Sequence, residues 1–224
     1  SFTDGKTLAP MVSSMDHKRA LDNDEGLNTG GMGTIAPNPY YTPEMAERCM
    51  KEIFLPTVEA MKAEGRTFKG CLYFGLMITK DGPKVIEYNC RFGDPETQVV
   101  LPLLKTDLLT IFEAVHDERL AEIPVEFSDE SAACVIMASG GYPQKYQTGY
   151  EISGLDSMGQ AQGVTVYHAG TKLEDGKFFT SGGRVLGVTA TGKDREEALQ
   201  KSYAAVAKIS FQDAHYRKDI GKIR

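Results

Sequence analysis

One short segment of the sequence carries three polar side chains, at every second position, whose chemistry is complementary. Residues 84–91 read Lys-Val-Ile-Glu-Tyr-Asn-Cys-Arg and follow an Asp81-Gly82 hairpin signal, so we expect a strand there. Side chains alternate between the two faces of a strand, which places Glu87, Asn89 and Arg91 on one face. Carboxylate and amide oxygens suit Mg²⁺ bridged to phosphates, and a guanidinium forms a planar fork for a carboxylate or phosphate. The pattern indicates a phosphate-bearing substrate.

The surroundings of this strand strengthen that interpretation. The opposite face, with Ile86, Tyr88 and Cys90, is predicted to join the core. An isolated Glu-x-Asn-x-Arg is more simply explained as the solvated face of an antiparallel sheet. Here Asp94 and Glu96 follow at once, at the start of a predicted helix. We therefore expect five functional polar groups to converge at one strand end.

A glycine-rich segment is the second candidate. Residues 28–33 read Asn-Thr-Gly-Gly-Met-Gly, and glycines let backbone N–H groups approach and cradle an anion. Asp16 and Lys18 add charge upstream. A flexible linker is the alternative that glycines alone would favour. The spacing matches neither the phosphate-binding P-loop, which needs a following Gly-Lys-Ser/Thr, nor the dinucleotide fingerprint.

Several elements must position these groups. We predict a strand over residues 7–15, then a long polar loop over 16–39, which is functional or disordered. Thr42-Pro43-Glu44 predicts a helix start, with a kink at Pro56 and an end near Gly65. The other expected elements of the first half are strands over 70–79 and 83–91, and helices over 95–104 and 107–120.

The second half of the chain has a different order of predicted strands and helices. Strands are predicted over residues 131–139, 164–169 and 184–190, with a hairpin turn at Asp175-Gly176. Asp194 is expected to cap a final helix. Strands and helices mix without a regular βαβ repeat, so the predicted class is α+β. The polar stretch around residues 124–129 predicts a domain boundary.

Composition excludes several classes of function. The formal net charge of −6 gives no general attraction for nucleic acid or anionic membranes. No apolar run is long enough to span a bilayer. The four cysteines are scattered without zinc spacing and are expected to be free thiols of a cytoplasmic protein.

Taken together and in order, seven strings resemble the phosphoribosylamine–glycine ligase family over the whole chain. They are Asp16-His17-Lys18-Arg19, Asn28-Thr29-Gly30-Gly31-Met32-Gly33, residues 85–98, Gly140-Gly141-Tyr142-Pro143, residues 168–173, Gly182-Gly183-Arg184-Val185-Leu186 and residues 216–221. No single string would be specific, but the ordered set is.

The resemblance implies the C-terminal part of an ATP-grasp domain over residues 1–126, followed by a small α+β domain over 127–224. It implies ligation of glycine to 5-phosphoribosylamine in purine synthesis, with ATP as co-substrate and a glycyl phosphate intermediate. Glu87 and Asn89 match the family's Mg²⁺ or Mn²⁺ ligands.

The remaining roles are also implied by the resemblance. Arg91, Asp94 and Glu96 are expected at the reacting groups. Phosphate or substrate contacts are expected from Asp16, Lys18, Asn28, Thr29, Gly30, Gly31, Gly33 and Arg184.

The family's chains are longer than this one. We expect this chain to be a part of such a protein, lacking an N-terminal substrate domain, a mobile ATP lid and one wall of the nucleotide cleft, and to bind ATP poorly alone. The alternatives are another ATP-grasp carboxylate–amine ligase, or a non-catalytic binding module that retains these motifs.

Overall fold

A computed structural model describes residues 1–223. The strands in this part of the chain are β1 (Phe2–Thr3), β2 (Leu8–Ala9), β3 (Met15–Asp16), β4 (Arg19–Leu21), β5 (Glu25–Asn28), β6 (Gly33–Ala36), β7 (Gly70–Cys71), β8 (Tyr73–Thr79), β9 (Gly82–Asn89), β10 (Ser131–Ser139), β11 (Thr165–His168), β12 (Thr171–Glu174), β13 (Lys177–Thr180), β14 (Arg184–Gly192) and β15 (Ala214–His215). The α-helices are α1 (Pro43–Cys49), α2 (Leu55–Ala63), α3 (Thr97–Val100), α4 (Leu108–His116) and α5 (Arg195–Val206).

The chain divides into two compact units, each built from separated stretches of sequence. The first unit comprises Ser1–Ser13, Asn38–Gly93 and Leu104–Ser128. The second comprises Ser14–Pro37, Asp94–Leu103 and the chain from Asp129 onward. The sequence domains predicted at 1–126 and 127–224 stay a prediction.

In the first unit, a helix with an interrupted hydrogen-bond ladder supports a hairpin. α1 begins as predicted, because the Thr42 hydroxyl accepts a bond from the Met45 amide at 3.3 Å and Pro43 occupies the first turn. A π-helical turn over Met50–Phe54 separates α1 from α2. It lies just before Pro56, whose missing N–H cannot continue the ladder.

The hairpin of β8 and β9 packs on this helix through aromatic rings. The ring of Phe74 lies 4.2 Å from that of Phe54 and 5.6 Å from that of Tyr88, measured between centroids. Phe74 and Tyr88 are cross-strand partners, so they share the face toward the helix. The hairpin predicted at Asp81-Gly82 is confirmed.

The expectation that Ile86, Tyr88 and Cys90 would be core residues is wrong. Ile86 is 61% exposed, Tyr88 is 47% exposed despite its ring contact, and Cys90 is exposed beyond the end of β9. Gly75 pairs with Glu87 but Leu76 pairs with Val85, so a bulge leaves Ile86 without a partner and breaks the two-residue alternation.

A six-stranded antiparallel sheet organises the second unit. Its strand order is β11-β14-β10-β6-β3, with β15 also paired to β10. Every residue of β10 is buried, and α5 packs on β10 and β14. Asp194 caps α5 as predicted, by accepting a bond from the Glu197 amide at 2.9 Å. The predicted α+β class, with mostly antiparallel pairing, is confirmed.

Two expectations about the N-terminal region are corrected. Residues 7–15 do not form one strand, since β2 and β3 belong to different sheets. Residues 16–39 are not one long loop, because β4, β5 and β6 lie there. β6 is buried throughout and pairs with the central strand β10 through Ala132, Ala133, Cys134 and Val135.

The two helices expected from residues 95–104 and 107–120 are shorter than predicted. α3 ends at Val100 and passes into a 3₁₀ turn over Leu101–Leu103 that contains Pro102. α4 begins after Asp107, whose carboxylate accepts a bond from the Thr110 amide at 2.8 Å. Its last helical residue is His116.

Candidate functional site

In the second unit, the glycine-rich segment is a firmly hydrogen-bonded turn between β5 and β6. Four successive backbone amides have partners inside the unit: Thr29 N to Lys18 O at 2.8 Å, Gly30 N to Tyr142 Oη at 3.0 Å, Gly31 N to Thr29 Oγ1 at 2.9 Å and Met32 N to His17 O at 2.8 Å. Two of the acceptors are side-chain hydroxyls, which an incoming anion could replace. The flexible-linker alternative does not describe this turn.

Close packing explains why glycine stands at two of these positions. Gly31 has φ +121°, and a Cβ there would lie 2.5 Å from Pro95 Cδ and 2.6 Å from Asp16 Oδ1. Gly33 has φ +152°, and a Cβ there would lie 2.7 Å from the Cys134 carbonyl oxygen. Both conformations and both distances exclude a side chain.

Arg184, the first residue of β14, ties the turn to the segment that begins at Asp94. Its Nη1 donates to the carbonyl oxygens of Gly30 at 3.0 Å and Asp94 at 2.9 Å. Its Nη2 lies 3.2 Å from Asp94 Oδ2, in a partly exposed ion pair. Arg184, Gly30 and Asp94, all predicted site residues, are thus brought together.

Asp16 and Glu96 form a pair of buried carboxylates beside this turn. The Asp16 side chain is only 7% exposed and Glu96 only 5%. Lys18 Nζ lies 2.6 Å from Asp16 Oδ2, and the His17 amide also interacts with this carboxylate. Burial and the negative charge of Glu96 raise the pKa of Asp16 to about 6, although Lys18 acts in the opposite direction.

In the first unit, Glu87, Asn89 and Arg91 lie at the end of β9. Glu87 and Asn89 oppose Gly75 and Tyr73 across the hairpin and therefore share one face. Gly75 makes room for Glu87, since a Cβ there would lie 2.7 Å from Glu87 Cγ. Arg91 donates to Phe92 O at 2.8 Å and to Asn89 Oδ1 at 3.3 Å.

This strand end can hold part of the shell of a hard cation. It offers one carboxylate and one amide oxygen on an accessible face, the donor types that Mg²⁺ prefers when waters and phosphates complete its shell. Among the residues that the structure describes, no group of three or more His, Cys, Asp or Glu side chains is arranged to hold a metal ion. The donor set of Glu87 and Asn89 fits a cation shared with a substrate rather than a closed protein site.

The predicted site residues therefore fall into two sets. Glu87, Asn89 and Arg91 belong to the first unit, and the others belong to the second. The convergence of all five strand-end groups stays a prediction. Asn28 is exposed at the end of β5, where it pairs with Arg19.

Two residues that are not among the predicted site residues shape the glycine turn. Tyr142 supplies the hydroxyl that accepts from Gly30, and its signal was the Gly140-Gly141-Tyr142-Pro143 string. His17 accepts from the Gly221 amide at Nε2, 3.1 Å away, so its Nδ1 carries the proton donated to Gly33 O at 3.2 Å. Burial and the charge of Arg217 lower the pKa of His17, which keeps the ring neutral.

In residues 1–223 no helix is both long and apolar enough to cross a membrane.

Models of one protein family match both parts of the chain. The model described as phosphoribosylglycinamide synthetase, ATP-grasp (A) domain, matches residues 1–97. The model described as phosphoribosylglycinamide synthetase, C domain, matches residues 132–223.

Proteins that match nearly the whole of this chain are named phosphoribosylamine–glycine ligase or trifunctional purine biosynthetic protein. The phosphoribosylamine–glycine ligase of Caldanaerobacter subterraneus subsp. tengcongensis is 50% identical over 220 residues, which are 98% of this chain and 52% of that protein. The trifunctional purine biosynthetic protein adenosine-3 of Gallus gallus is 51% identical over 221 residues, 98% of this chain and 22% of that protein. The chain thus spans about half the length of the single-function relative.

Solved structures agree on the fold. The crystal structure of phosphoribosylamine–glycine ligase from Thermotoga maritima matches with a TM-score of 0.79 at 36% identity, covering 94% of this chain and 51% of that one. The biotin carboxylase subunit of pyruvate carboxylase matches with a TM-score of 0.56 at 16% identity, covering 90% of this chain and 42% of that one. The second likeness concerns the fold alone, and together they confirm the predicted ATP-grasp architecture.

Proposed function

Because this chain belongs to the phosphoribosylglycinamide synthetase family, we propose that it is part of an ATP-dependent phosphoribosylamine–glycine ligase. In that reaction ATP phosphorylates the glycine carboxylate, and the amine of 5-phosphoribosylamine displaces the phosphate to give glycinamide ribonucleotide. The observation that carries the proposal is the exposed face at the end of β9, where Glu87 and Asn89 stand side by side with Arg91.

The residues at this strand end suit phosphoryl transfer, which depends on positioning and charge neutralisation rather than on a nucleophilic side chain. Glu87 and Asn89 would hold a divalent cation, Mg²⁺ or Mn²⁺. Such a cation, when bound, neutralises phosphate charge. The Arg91 guanidinium, oriented by Asn89 Oδ1, is placed to bind the glycine carboxylate or the transferred phosphate.

The second unit supplies the other proposed contacts. The turn at Gly30 and Gly31, held by Arg184, would bind a phosphate group of a substrate after the hydroxyls of Tyr142 or Thr29 give way to the anion. Asp94 and Glu96 would contact the substrates. The cytoplasmic location predicted from the sequence stays a prediction.

The test is ADP release in the presence of Mg²⁺, ATP, glycine and freshly made phosphoribosylamine, with each substrate omitted in turn. It is run on this chain and on a chain extended to the length of its relatives. Release by the extended chain that needs both glycine and the amine supports the proposal. Release with a different acid or amine favours another ATP-grasp ligase, and no release in any mixture contradicts the proposal.

A matched pair of variants tests the metal role. In the extended chain, Glu87→Gln keeps the side-chain size but loses the charge, and we expect ADP release to fall at least about 10- to 100-fold, the range seen when metal-site partners are changed. Glu59→Gln, an exposed change on α2, is the control. Titration with Mn²⁺ in place of Mg²⁺ shows which cation the site prefers.

A further inference from the structure

A cavity of about 550 Å³ lies at the end of β10, wholly within the second unit. Its walls come from the segment of residues 140–150, which follows β10, and from Asp213, which precedes β15. Protein cavities that bind small molecules measure about 300–1,000 Å³. None of the residues proposed for the ligase reaction lines this cavity, so it is a separate candidate site.

Close packing of the backbone holds Asp213 at the cavity. A Cβ at Gly140 would lie 2.7 Å from the Asp213 carbonyl oxygen and 2.8 Å from the Asp213 Cβ, so glycine is needed for this approach. The pairing of Ser139 with Ala214 fixes the same two chain segments side by side. Asp213 has φ +57°, a left-handed conformation that Asp and Asn adopt more readily than most residues. The acid therefore belongs to a rigid part of the wall.

A tyrosine ring forms another part of the wall. The ring of Tyr146 lies 6.2 Å from that of Tyr142, measured between centroids, in an edge-to-face arrangement. Gly183 makes room for both, because a Cβ there would overlap the Tyr142 ring and lie 3.1 Å from Tyr146 Cε1. Tyr146 nevertheless remains 40% exposed. A ring that is held by packing and is still accessible offers a surface on which a planar base can stack.

The polar groups of the wall are available to a ligand. Tyr150 Oη donates to Gln147 Oε1 at 2.6 Å, which leaves the N–H groups of the Gln147 amide as donors. Within residues 1–223, no hydrogen bond or ion pair engages the side chains of Gln144, Lys145 or Asp213. One ammonium and one carboxylate thus line the same cavity without pairing with each other.

These groups match the parts of a nucleotide. An ammonium such as that of Lys145 binds phosphate, and a carboxylate such as that of Asp213 accepts hydrogen bonds from ribose hydroxyls. Because the single cation is balanced by the single anion, the wall suits a monophosphate better than a more highly charged triphosphate. The Gln144 amide carries a donor and an acceptor, as the N7 and N6 edge of adenine requires, whereas guanine presents two acceptors there.

We propose that this cavity binds an adenine nucleoside monophosphate. The base stacks on Tyr146 and pairs with the Gln144 amide, the ribose hydroxyls donate to Asp213, and the phosphate accepts from Lys145 and Gln147. The inference does not depend on the proposed ligase function, because it involves no catalytic step and none of the residues assigned to that reaction.

The first experiment titrates this chain with AMP, without metal ions, and follows the backbone amides by NMR. We expect saturable shifts at residues 144–147 and at Asp213. Ribose 5-phosphate lacks the base and adenosine lacks the phosphate, so each should bind at least about 10-fold more weakly than AMP. GMP should also bind about 10-fold more weakly, and ATP no more tightly than AMP.

Three outcomes of this titration overturn the proposal. Equal affinity for AMP and ribose 5-phosphate would identify a sugar phosphate site that does not recognise a base. Tighter binding of ATP than of AMP at these residues would contradict the charge argument. Absence of saturable shifts, or shifts confined to residues outside the cavity, would show that AMP does not bind here.

The second experiment uses two matched pairs of variants. Lys145→Met removes the proposed phosphate contact, and Lys208→Met is its control, since Lys208 is also exposed in the second unit and has no ion pair within residues 1–223. Tyr146→Leu removes the stacking surface, whereas Tyr146→Phe keeps the ring. We expect AMP affinity to fall about 10-fold in Lys145→Met and in Tyr146→Leu, and to stay at the wild-type value in both controls.

Unchanged amide shifts away from the cavity show that each variant is folded. Wild-type affinity for AMP in Lys145→Met or in Tyr146→Leu overturns the proposal, and so does an equal loss in Lys208→Met.

Discussion

Arg217 and Asp219 form a two-point ion pair in which Nε lies 2.8 Å from Oδ1 and Nη2 lies 2.9 Å from Oδ2. Arg217 is only 1% exposed, and its Nη1 also reaches Asp24 Oδ1 at 2.9 Å and Arg19 O at 3.1 Å. Although burial alone would raise it, the bonds from Arg217 and the Asn23 amide hold the pKa of Asp219 well below its usual range. The pair therefore fastens the C-terminal segment to the hairpin of β4 and β5.

Replacing Arg217 should destabilise the chain strongly. Arg217→Met removes the guanidinium that pairs with the Asp219 carboxylate, and we expect the free energy of unfolding to fall by about 3 kcal/mol or more. Arg217→Lys keeps the charge but loses the two-point geometry, so its free energy of unfolding should lie between those of the wild type and Arg217→Met. Urea unfolding followed by circular dichroism measures both, with the exposed Lys218→Met as control. If Arg217→Met and Lys218→Met cost the same, the pair does not stabilise the fold.

Gly31 should tolerate alanine less well than a glycine whose surroundings are open. Gly163 has φ +80° and nothing within 4 Å of the point where a Cβ would stand, so Gly163→Ala should cost only the backbone term of about 1–2 kcal/mol. Gly31→Ala adds overlap with Pro95 and Asp16, which should cost about 1–3 kcal/mol more. Thermal and urea unfolding of the two variants provide the comparison. Equal losses of unfolding free energy in the two variants would show that the turn around Gly31 can shift to accommodate a Cβ.

The Tyr142 hydroxyl should protect the Gly30 amide from exchange with solvent. Tyr142→Phe removes the acceptor 3.0 Å from Gly30 N, and we expect faster hydrogen exchange at that amide and a loss of about 1 kcal/mol. Tyr146→Phe is the control, because its ring packs 6.2 Å from that of Tyr142. Amide-resolved NMR exchange measures the effect, and unchanged Gly30 protection in Tyr142→Phe would mean that another group holds the turn.

The sequence correctly predicted the elements that depend on neighbouring residues, such as an apolar run, a turn pair or a helix cap. The strand Ser131–Ser139 is a continuous apolar run, both Asp-Gly hairpins have their turn residues, and Asp194 begins α5 as a helix cap should. β6 escaped prediction because Gly-Thr-Ile-Ala lies in a polar region and its pairing partner, β10, is far along the chain. Pairing between strands so far apart in the sequence cannot be predicted from the hydrophobic pattern of either strand alone.

The same distinction applies to the candidate site. The face shared by Glu87 and Asn89 followed from alternation, but the bulge that exposes Ile86 depends on pairing with β8. Arg184 was selected through the family resemblance, whereas its bond to Gly30 across 154 residues of sequence needed the structure. The burial of Asp16 beside Glu96 likewise depends on tertiary packing, which the residue types alone do not reveal.

The neutral His17 ring should make stability depend on pH in the mildly acidic range. Its folded-state pKa lies below the ordinary value, so its contribution is fully present above about pH 6.5 and declines as the pH falls toward the folded pKa. Protonation removes the acceptor for the Gly221 amide and places a positive charge near Arg217. When the pH is lowered from about 7.5 to 5.5, the free energy of unfolding should therefore fall less for His17→Gln than for the wild type.

Asp16 complicates this measurement because its raised pKa acts in the opposite sense. The stability associated with protonated Asp16 is fully present below pH 3.8 and is lost as the pH rises to about 6, which overlaps the acidic end of the same window. Comparing His17→Gln with the parent in an Asp16→Asn background removes that contribution. The free energy of unfolding is measured in urea across the pH range, with the exposed His116→Gln as control. Its slope against pH should then be shallower only for the His17 variant. Identical slopes would show that His17 does not titrate differently in the folded and unfolded states.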